Sequence, residues 1–493
     1  MLNPSYQLRN DVHRVALFAK VGSGDSCSKD WHTFIHPVQA AMLSFFTYNR
    51  SLGENLRLLS RFFSRDIGYM EKIISAYIEN PTPVYTVWKE QRICFPKNVL
   101  IELEEAEKEF YFPKLTTDSL MSRKLDLVSR RYYSGPLLVT LMLTNQCLTH
   151  CRYCYADTAT AVKQALPTSR ILELIREAAG LPVQQVNLIG GEVFLHKDWK
   201  MILSELVSLN IAPEYISTKM PFTSKRLSDL KEAGCHSLIQ VSLDAADSGV
   251  LRESLQVKEH YLEEMMKGLQ LLDQSGLNYQ VSSVLTTYNC NRDILVGLFR
   301  FLSTLKHLRE WRIIPVSNSI TMDYSEFARL KAPKEQIESV FDYLENEIVP
   351  FAPFPIVLSR ELISKQFYTD SGGSACFKGA TCSALNTHLF ILPDGKVTIC
   401  EQLYWNPRFV IGDVNRSSLK EVWNSPQALS LVSLSQKDIQ GESRCAGCTQ
   451  FEQCFGAQNR CWSDIIKAYG ADCWDYPDPR CEFAPRMSYN LGY

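Results

Sequence analysis

Between Gly135 and about Ser317, short apolar runs alternate with stretches in which apolar residues recur every three or four positions. The runs LLVTLML (137–143), QVNLI (185–189), EYIST (214–218), SLIQVSL (237–243), YQVSSVL (279–285) and WRIIPV (311–316) read as strands, because apolar segments of this length suit a buried pleated sheet. SRILELIREAAG, DWKMILSELVSLN and RLSDLKEAG lie between them with helical spacing. Six βα-type repeats predict a parallel sheet, and right-handed crossovers put every helix outside it. The expected fold is α/β, with a partial (β/α)6 barrel of the TIM type over 134–332.

The first hundred residues have a different rhythm. An apolar run at 15–21 predicts a strand, and PVQAAMLSFFTYN a helix that begins at Pro37, where the missing N–H costs nothing. SLGENLRLLSRFF predicts a second helix, with Ser51 as N-cap and Leu52, Leu56, Leu59 and Phe62 on one face. GYMEKIISAYIEN makes a third, and PVYTVWKEQRICFP a strand pair. Helices followed by a short β-wing suggest a winged-helix-like domain over 1–97, with the charged segment 98–133 as a linker. After the barrel, a helix near 334–348 lies in a bridging segment (333–375), and 376–493 is rich in loops and cysteine.

Composition narrows the function classes. Apolar residues are 45% and charged residues 22% of the 493, which is enough to bury full cores. The net charge of -2 gives no sign of nucleic acid or an anionic membrane as partner. No segment approaches the ~20 apolar residues of a membrane span, and the start has no apolar signal region, so the expectation is a cytoplasmic protein. Sixteen cysteines in that compartment point to metal in preference to disulfides. Three fall at 147–154 and nine at 376–481, while Cys27, Cys94, Cys235 and Cys290 stand apart as ordinary thiols.

Parallel barrels keep their active sites in the loops after the strands. The loop after the first strand, TNQCLTHCRYCYAD, places Cys147, Cys151 and Cys154 within eight residues. Three soft thiolates suit an iron–sulfur cluster, and a four-iron cluster on three cysteines leaves one iron open to another ligand. A closed zinc site would need a fourth ligand, which His150 could supply. After the second strand stands Gly190-Gly191-Glu192; the third ends at Ser217, Thr218 and Lys219; the fourth ends in Ser242-Leu243-Asp244.

The Cys147/Cys151/Cys154 spacing, with Tyr153 before the third cysteine, resembles the signature of the radical S-adenosylmethionine (SAM) superfamily, and Gly190-Gly191-Glu192 resembles its GGE motif. The resemblance implies a [4Fe-4S] cluster on the three cysteines and SAM as cofactor. Glu192 would engage the methionine amino group, Tyr153 would pack on adenine, and Gly190, Gly191, Thr218, Ser242 and Asp244 would line the cofactor site. Arg252, Thr286, Thr287, Asn289 and the backbone at 313–316 are weaker contacts. Val193 stands where the family usually has proline, and Lys219 stands among positions that are commonly small hydroxyl residues and asparagine. The implied chemistry is reductive cleavage of SAM to a 5′-deoxyadenosyl radical, at cluster potentials that reach roughly −700 mV.

A second resemblance covers about 110 residues at the C-terminal end. Cys376-x5-Cys382, Gly395 and Cys400, then Cys445-x2-Cys448-x5-Cys454, are similar to the SPASM extension, with THLFILPDGKVTIC as a strand pair turning at Asp394-Gly395. The resemblance implies two auxiliary [4Fe-4S] clusters, three in all. Cys376, Cys382, Cys400 and Cys461 are assigned to one, and Cys445, Cys448, Cys454 and Cys481 to the other, with Cys473 spare. The family often has a cysteine where this chain has Gln458. Glu401 stands where some relatives have a catalytic aspartate.

The N-terminal domain also resembles the PqqD-like leader-recognition domain of ribosomal-peptide maturases, which implies a precursor peptide as partner; the reductive cleavage of SAM implied by the radical SAM resemblance calls for an electron donor such as flavodoxin or ferredoxin. The function expected is a maturase that installs a thioether or carbon–carbon crosslink. A formylglycine-forming sulfatase-type maturase is the alternative enzyme, and a non-catalytic iron–sulfur or zinc peptide chaperone the alternative from another class.

Overall fold

The computed structural model describes residues 1–19, 32–88, 91–102, 125–365, 367, 382–455 and 460–493. They fall into two units, Met1–Gly135 and Pro136–Tyr493. In the first, β1 (Tyr6–Asn10), β2 (Val15–Ala19) and β3 (His32–Ile35) form an antiparallel sheet in that order. All five residues of β2 are buried, which is why that run shows in the sequence. The flanking YQLRN and HTFI carry too few apolar positions to announce strands. Residues 20 and 21 of the expected strand lie outside the described residues.

Three helices follow. Pro37 occupies the first turn of Pro37–Ser44, capped reciprocally by His36 and Gln39. Leu52–Phe63 starts at Ser51, whose hydroxyl accepts from Glu54 N at 3.2 Å while Ser51 N donates to the Glu54 carboxylate at 2.9 Å, an arrangement worth about 1 kcal/mol. Its buried stripe is narrower than the spacing implies: Leu56 and Leu59 are buried, but Leu52 and Phe62 are each 44% exposed. After Ile67–Ile74 comes the expected hairpin, β4 (Val84–Trp88) with β5 (Gln91–Phe95). Of the expected linker, 103–124 lies outside the described residues, while Leu127 joins this unit's core. Buried Asp11 accepts from Tyr133 N and Ser134 N, each at 2.8 Å, and so holds the end of that segment to the first unit.

In the second unit β6 (Leu138–Met142), β7 (Gln185–Ile189), β8 (Tyr215–Thr218), β9 (Leu238–Ser242), β10 (Tyr279–Leu285) and β11 (Trp311–Pro315) match the six expected runs to within one residue at each end. β6 pairs with β7, and β8 through β11 pair in sequence, all parallel. The strands make a partial (β/α)6 barrel, and helices such as Thr168–Gly180 bury one stripe (Ile171, Leu174, Ile175, Ala178) against it.

β12 (Ile356–Leu358) lies in the segment expected to be a helical bridge and pairs parallel with β11; at three half-buried residues it is too short to show in the pattern. β13 (His388–Ile391), β14 (Lys396–Thr398) and β15 (Val410–Asp413) extend the sheet on the other side, in the order β15-β14-β13-β6-β7. The hairpin expected in THLFILPDGKVTIC forms as β13 and β14, while β12, β15 and the joining of that hairpin to the barrel sheet were not foreseen. The C-terminal hairpin is therefore continuous with the barrel strand that leads into the first cysteine loop. Gly395 makes its turn at φ +87°, as a glycine readily does. Among the described residues no helix is long and apolar enough to cross a membrane.

Candidate active site

The loop after β6 is clamped from two sides. Gly191 N donates to Thr144 O and Glu192 N to Gln146 O, each at 2.8 Å, so the loop after β7 runs backbone-to-backbone against the cysteine loop. A Cβ on Gly190 would stand 2.7 Å from Thr144 O, and one on Gly191 would collide with the Asn145 and Gln146 carbonyls. The two glycines thus make room for the cysteine loop itself. On its far side His150 N and Arg152 N donate to Leu255 O and Ser254 O at 2.9 and 3.0 Å, anchoring the loop on the end of helix Ser248–Leu255.

Cys147, Cys151 and Cys154 are free and half-buried, and each lies within electrostatic reach of the others. The Thr149 hydroxyl lies 3.4 Å from Cys147 Sγ and 3.2 Å from Cys151 Sγ. Burial raises the Cys151 thiol and, with the Cys151 charge added, pushes Cys154 up to about 11. His150 is exposed, and among the described residues no three Cys, His, Asp or Glu side chains converge on one ion position.

The acidic residues of the site are buried and fully engaged. The Glu192 carboxylate accepts from the Thr218 hydroxyl at 2.9 Å, Lys219 N at 3.0 Å and Phe194 N at 3.2 Å, and burial raises its pKa against these bonds. Asp244 accepts from Val284 N at 2.9 Å and from the Tyr153 hydroxyl, and Lys219 Nζ stands 3.6 Å away. Lys219 Nζ also donates to Tyr153 Oη at 2.9 Å. Burial opposes the Lys219 charge, but Asp244, Cys151 and Cys154 outweigh it and hold its pKa above the ordinary value. Tyr153 is therefore buried in an ion network, with its hydroxyl committed. Ser242 is half-buried at the end of β9 opposite Ser282, while Arg252 is exposed on its helix. Asn289 caps the turn after β10 by accepting from Thr286 N at 2.7 Å, and its amide donates to Asp244 O at 2.9 Å. The turn residues Thr286 and Asn289 thus serve the loop that holds Asp244.

Cys376 and Gln458 lie outside the described residues. The other C-terminal cysteines fall into two neighbourhoods. Cys382 lies within electrostatic reach of both Cys400 and Cys461. Cys445, Cys448, Cys454 and Cys481 form the second set. Burial pushes Cys400 and Cys445 up to about 12 and Cys454 to about 11, and raises Cys382, Cys461 and Cys481. Cys473 packs with Ile465 and Ala468 in a separate small cluster.

Glu401 is half-buried, and burial raises its pKa. Its charge reaches Tyr155, directly after Cys154, and Tyr215 on β8, so it stands beside the barrel opening. Tyr404 ties the two cysteine regions together: it is buried at φ +30°, and its hydroxyl donates to Tyr155 O at 3.0 Å. Lys219 entered the sequence reading only as a departure from a motif. Arg460, buried between the two C-terminal sets, and Tyr404 gave no sign there, because a charge before a cysteine or an aromatic in a loop is usually a surface feature.

Two family models match the chain: the Radical SAM superfamily over residues 141–331, and an iron–sulfur cluster-binding (SPASM) domain over residues 382–449. A GTP 3′,8-cyclase of Moorella thermoacetica is 24% identical over 275 residues, covering 54% of this chain and 80% of that protein. A PqqA peptide cyclase of Xanthomonas axonopodis pv. citri is 23% identical over 361 residues, 71% of this chain and 88% of that protein. The crystal structure of Streptococcus suis SuiB bound to precursor peptide SuiA aligns with a TM-score of 0.61 at 16% identity, over 98% of this chain and 99% of that one. At this identity the likeness is one of fold.

Proposed function

Since the chain is a radical SAM enzyme with a SPASM iron–sulfur domain, we propose that it modifies a ribosomally made precursor peptide, installing a thioether or carbon–carbon crosslink. The observation that carries this reading is the pairing of a three-cysteine loop, clamped beside a buried glutamate, with two further cysteine neighbourhoods in the same unit, one of them flanking the hairpin that continues the β6 sheet. The peptide class is supported by the PqqA peptide cyclase relative and by the fold of SuiB, a protein described with its precursor peptide bound.

In this reading Cys147, Cys151 and Cys154 hold a cluster with one open iron. Bound there, the cluster and SAM supply a 5′-deoxyadenosyl radical that takes hydrogen from the peptide. Glu192 accepts from the methionine ammonium, exchanging part of its present set of donors, while Tyr153 borders the adenine. Thr218, Ser242 and Asp244 line the ribose and carboxylate side, and Gly190 and Gly191 keep the two loops in register. Cys376, Cys382, Cys400 and Cys461 hold one auxiliary cluster, and Cys445, Cys448, Cys454 and Cys481 the other. Forming the crosslink removes two hydrogens from the peptide: the 5′-deoxyadenosyl radical would take one as an atom, Glu401 would receive the other as a proton, and the remaining electron would pass to an auxiliary cluster. A flavodoxin or ferredoxin supplies electrons. In the N-terminal unit β3 has β2 as its hydrogen-bonded neighbour among the described strands, so its other edge offers main-chain groups to a leader peptide by β-augmentation.

Anaerobic reconstitution with a precursor peptide tests the proposal. The expected result is iron and sulfide for three clusters, 5′-deoxyadenosine release, and a peptide that has lost two hydrogens by mass. Cleavage of SAM with no change to any candidate peptide, but with turnover of a nucleotide, would move the substrate to another class.

A further inference from the structure

Arg460 is 2% exposed, in the heart of the C-terminal region. Its guanidinium is enclosed by the Phe455 ring, 2.9 Å from its centroid, and by Trp462 at 4.4 Å. One nitrogen donates to Phe455 O at 3.2 Å, while Nε and the other terminal nitrogen have no acceptor among the described residues. Its nearby carboxylate, Asp478, is already committed: its two oxygens take Arg480 Nε and Nη2 at 2.8 and 2.7 Å, and one also accepts from Cys461 N at 2.9 Å. Besides Asp478, three cysteines lie within electrostatic reach of Arg460. Its charge acts on Cys454 and Cys445 of one set and on Cys382 of the other.

A buried guanidinium without an anion costs several kcal/mol, so a chain that keeps one there needs negative charge close by. A thiolate-ligated iron–sulfur cluster has that charge, and its sulfurs accept hydrogen bonds. We propose that Arg460 is the shared counter-cation of both auxiliary clusters, its unfilled N–H groups directed to their sulfurs, and that it sets their reduction potentials. This rests on reading the two cysteine sets as cluster ligands. Charge and hydrogen bonds to sulfur are among the factors that tune such potentials. Reduction adds negative charge to a cluster, so a neighbouring cation stabilises the reduced form and raises the potential.

The test uses the full chain, reconstituted anaerobically, with Arg460→Met and Arg460→Lys compared by iron and sulfide content and by redox titration followed by electron paramagnetic resonance. Arg460→Met is expected to lower the potentials of both auxiliary clusters and leave that of the Cys147/Cys151/Cys154 cluster in place, with Arg460→Lys intermediate. If Arg460→Met loads less iron, Arg460→Lys is expected to restore it. Unchanged potentials in Arg460→Met, a shift confined to one auxiliary cluster, or iron loading lost equally in both variants would overturn the proposal. Wild-type protein that holds a single cluster, with Cys382→Ala and Cys445→Ala no poorer in iron, would instead overturn the underlying ligand reading.

Discussion

Lys219 is a half-buried ammonium set between buried Asp244 and the Tyr153 hydroxyl, close to two of the three cysteines of the candidate site. Removing one member of a buried ion pair strands the other, at about 3–5 kcal/mol. Lys219→Met is therefore expected to destabilise the protein by roughly that amount in chemical denaturation, while Lys219→Met combined with Asp244→Asn recovers most of the loss. Additive losses would mean that the two side chains act independently. Tyr153, Thr218 and Asp244 were readable as candidate site residues because a motif brought each to notice. Lys219 was not, since a lysine at a strand end is solvated unless the fold folds over it. Gly191 teaches a related lesson: its motif suggested room for a ligand, whereas the structure uses the room for the Gln146 carbonyl. Gly191→Ala should push the cysteine loop off β7 and lower iron content by about one cluster of the three proposed, read by iron analysis and absorbance. Full iron content would show that the loop tolerates the displacement.

At the scale of elements, the six barrel strands were legible because each is a short apolar run set between helical repeats, whereas β12 and β3, at three and four residues, carry too little pattern. The joining of β13 to β6 could not be seen either, because strand pairing across some 250 residues leaves no local mark. His388 shows what that junction contributes. Its Nε2 lies 2.7 Å from the Thr140 hydroxyl across the β13–β6 pair, and burial lowers its pKa from 6.5 to about 4. The folded state keeps the imidazole neutral while the unfolded chain takes a proton below about 6.5. The contribution is thus full above that pH and is lost as pH falls toward 4, up to about 3 kcal/mol in all. His388→Gln should flatten the fall in thermal midpoint between pH 6.5 and 4 relative to wild type. Parallel curves for the two proteins would remove His388 from the account.

For the whole molecule, the question is how cofactor cleavage and peptide chemistry are divided. Both C-terminal cysteine sets lie apart from the Cys147/Cys151/Cys154 loop in sequence, but Cys382 and Cys400 flank the β13–β14 hairpin, which continues the sheet from β6. Cys481→Ala should accordingly reduce modified peptide more than 5′-deoxyadenosine, and an equal loss of both would make that residue merely structural. In the N-terminal unit, Ile67 and Tyr69 on the third helix are apolar side chains 45% and 50% exposed, and in the proposed reading they contact the leader peptide. Ile67→Asp with Tyr69→Asp should weaken precursor binding about tenfold, or ~1.4 kcal/mol, and leave cofactor cleavage unchanged. Unaltered affinity in a calorimetric titration would place the leader elsewhere.

The most direct measurement is 5′-deoxyadenosine formed from SAM by the reduced, anaerobically reconstituted chain, with Cys154→Ala beside it. Formation by the wild type and none by the variant is the predicted result. A fully assembled cluster that leaves SAM intact, or a variant that cleaves it as well as the wild type, would contradict the assignment.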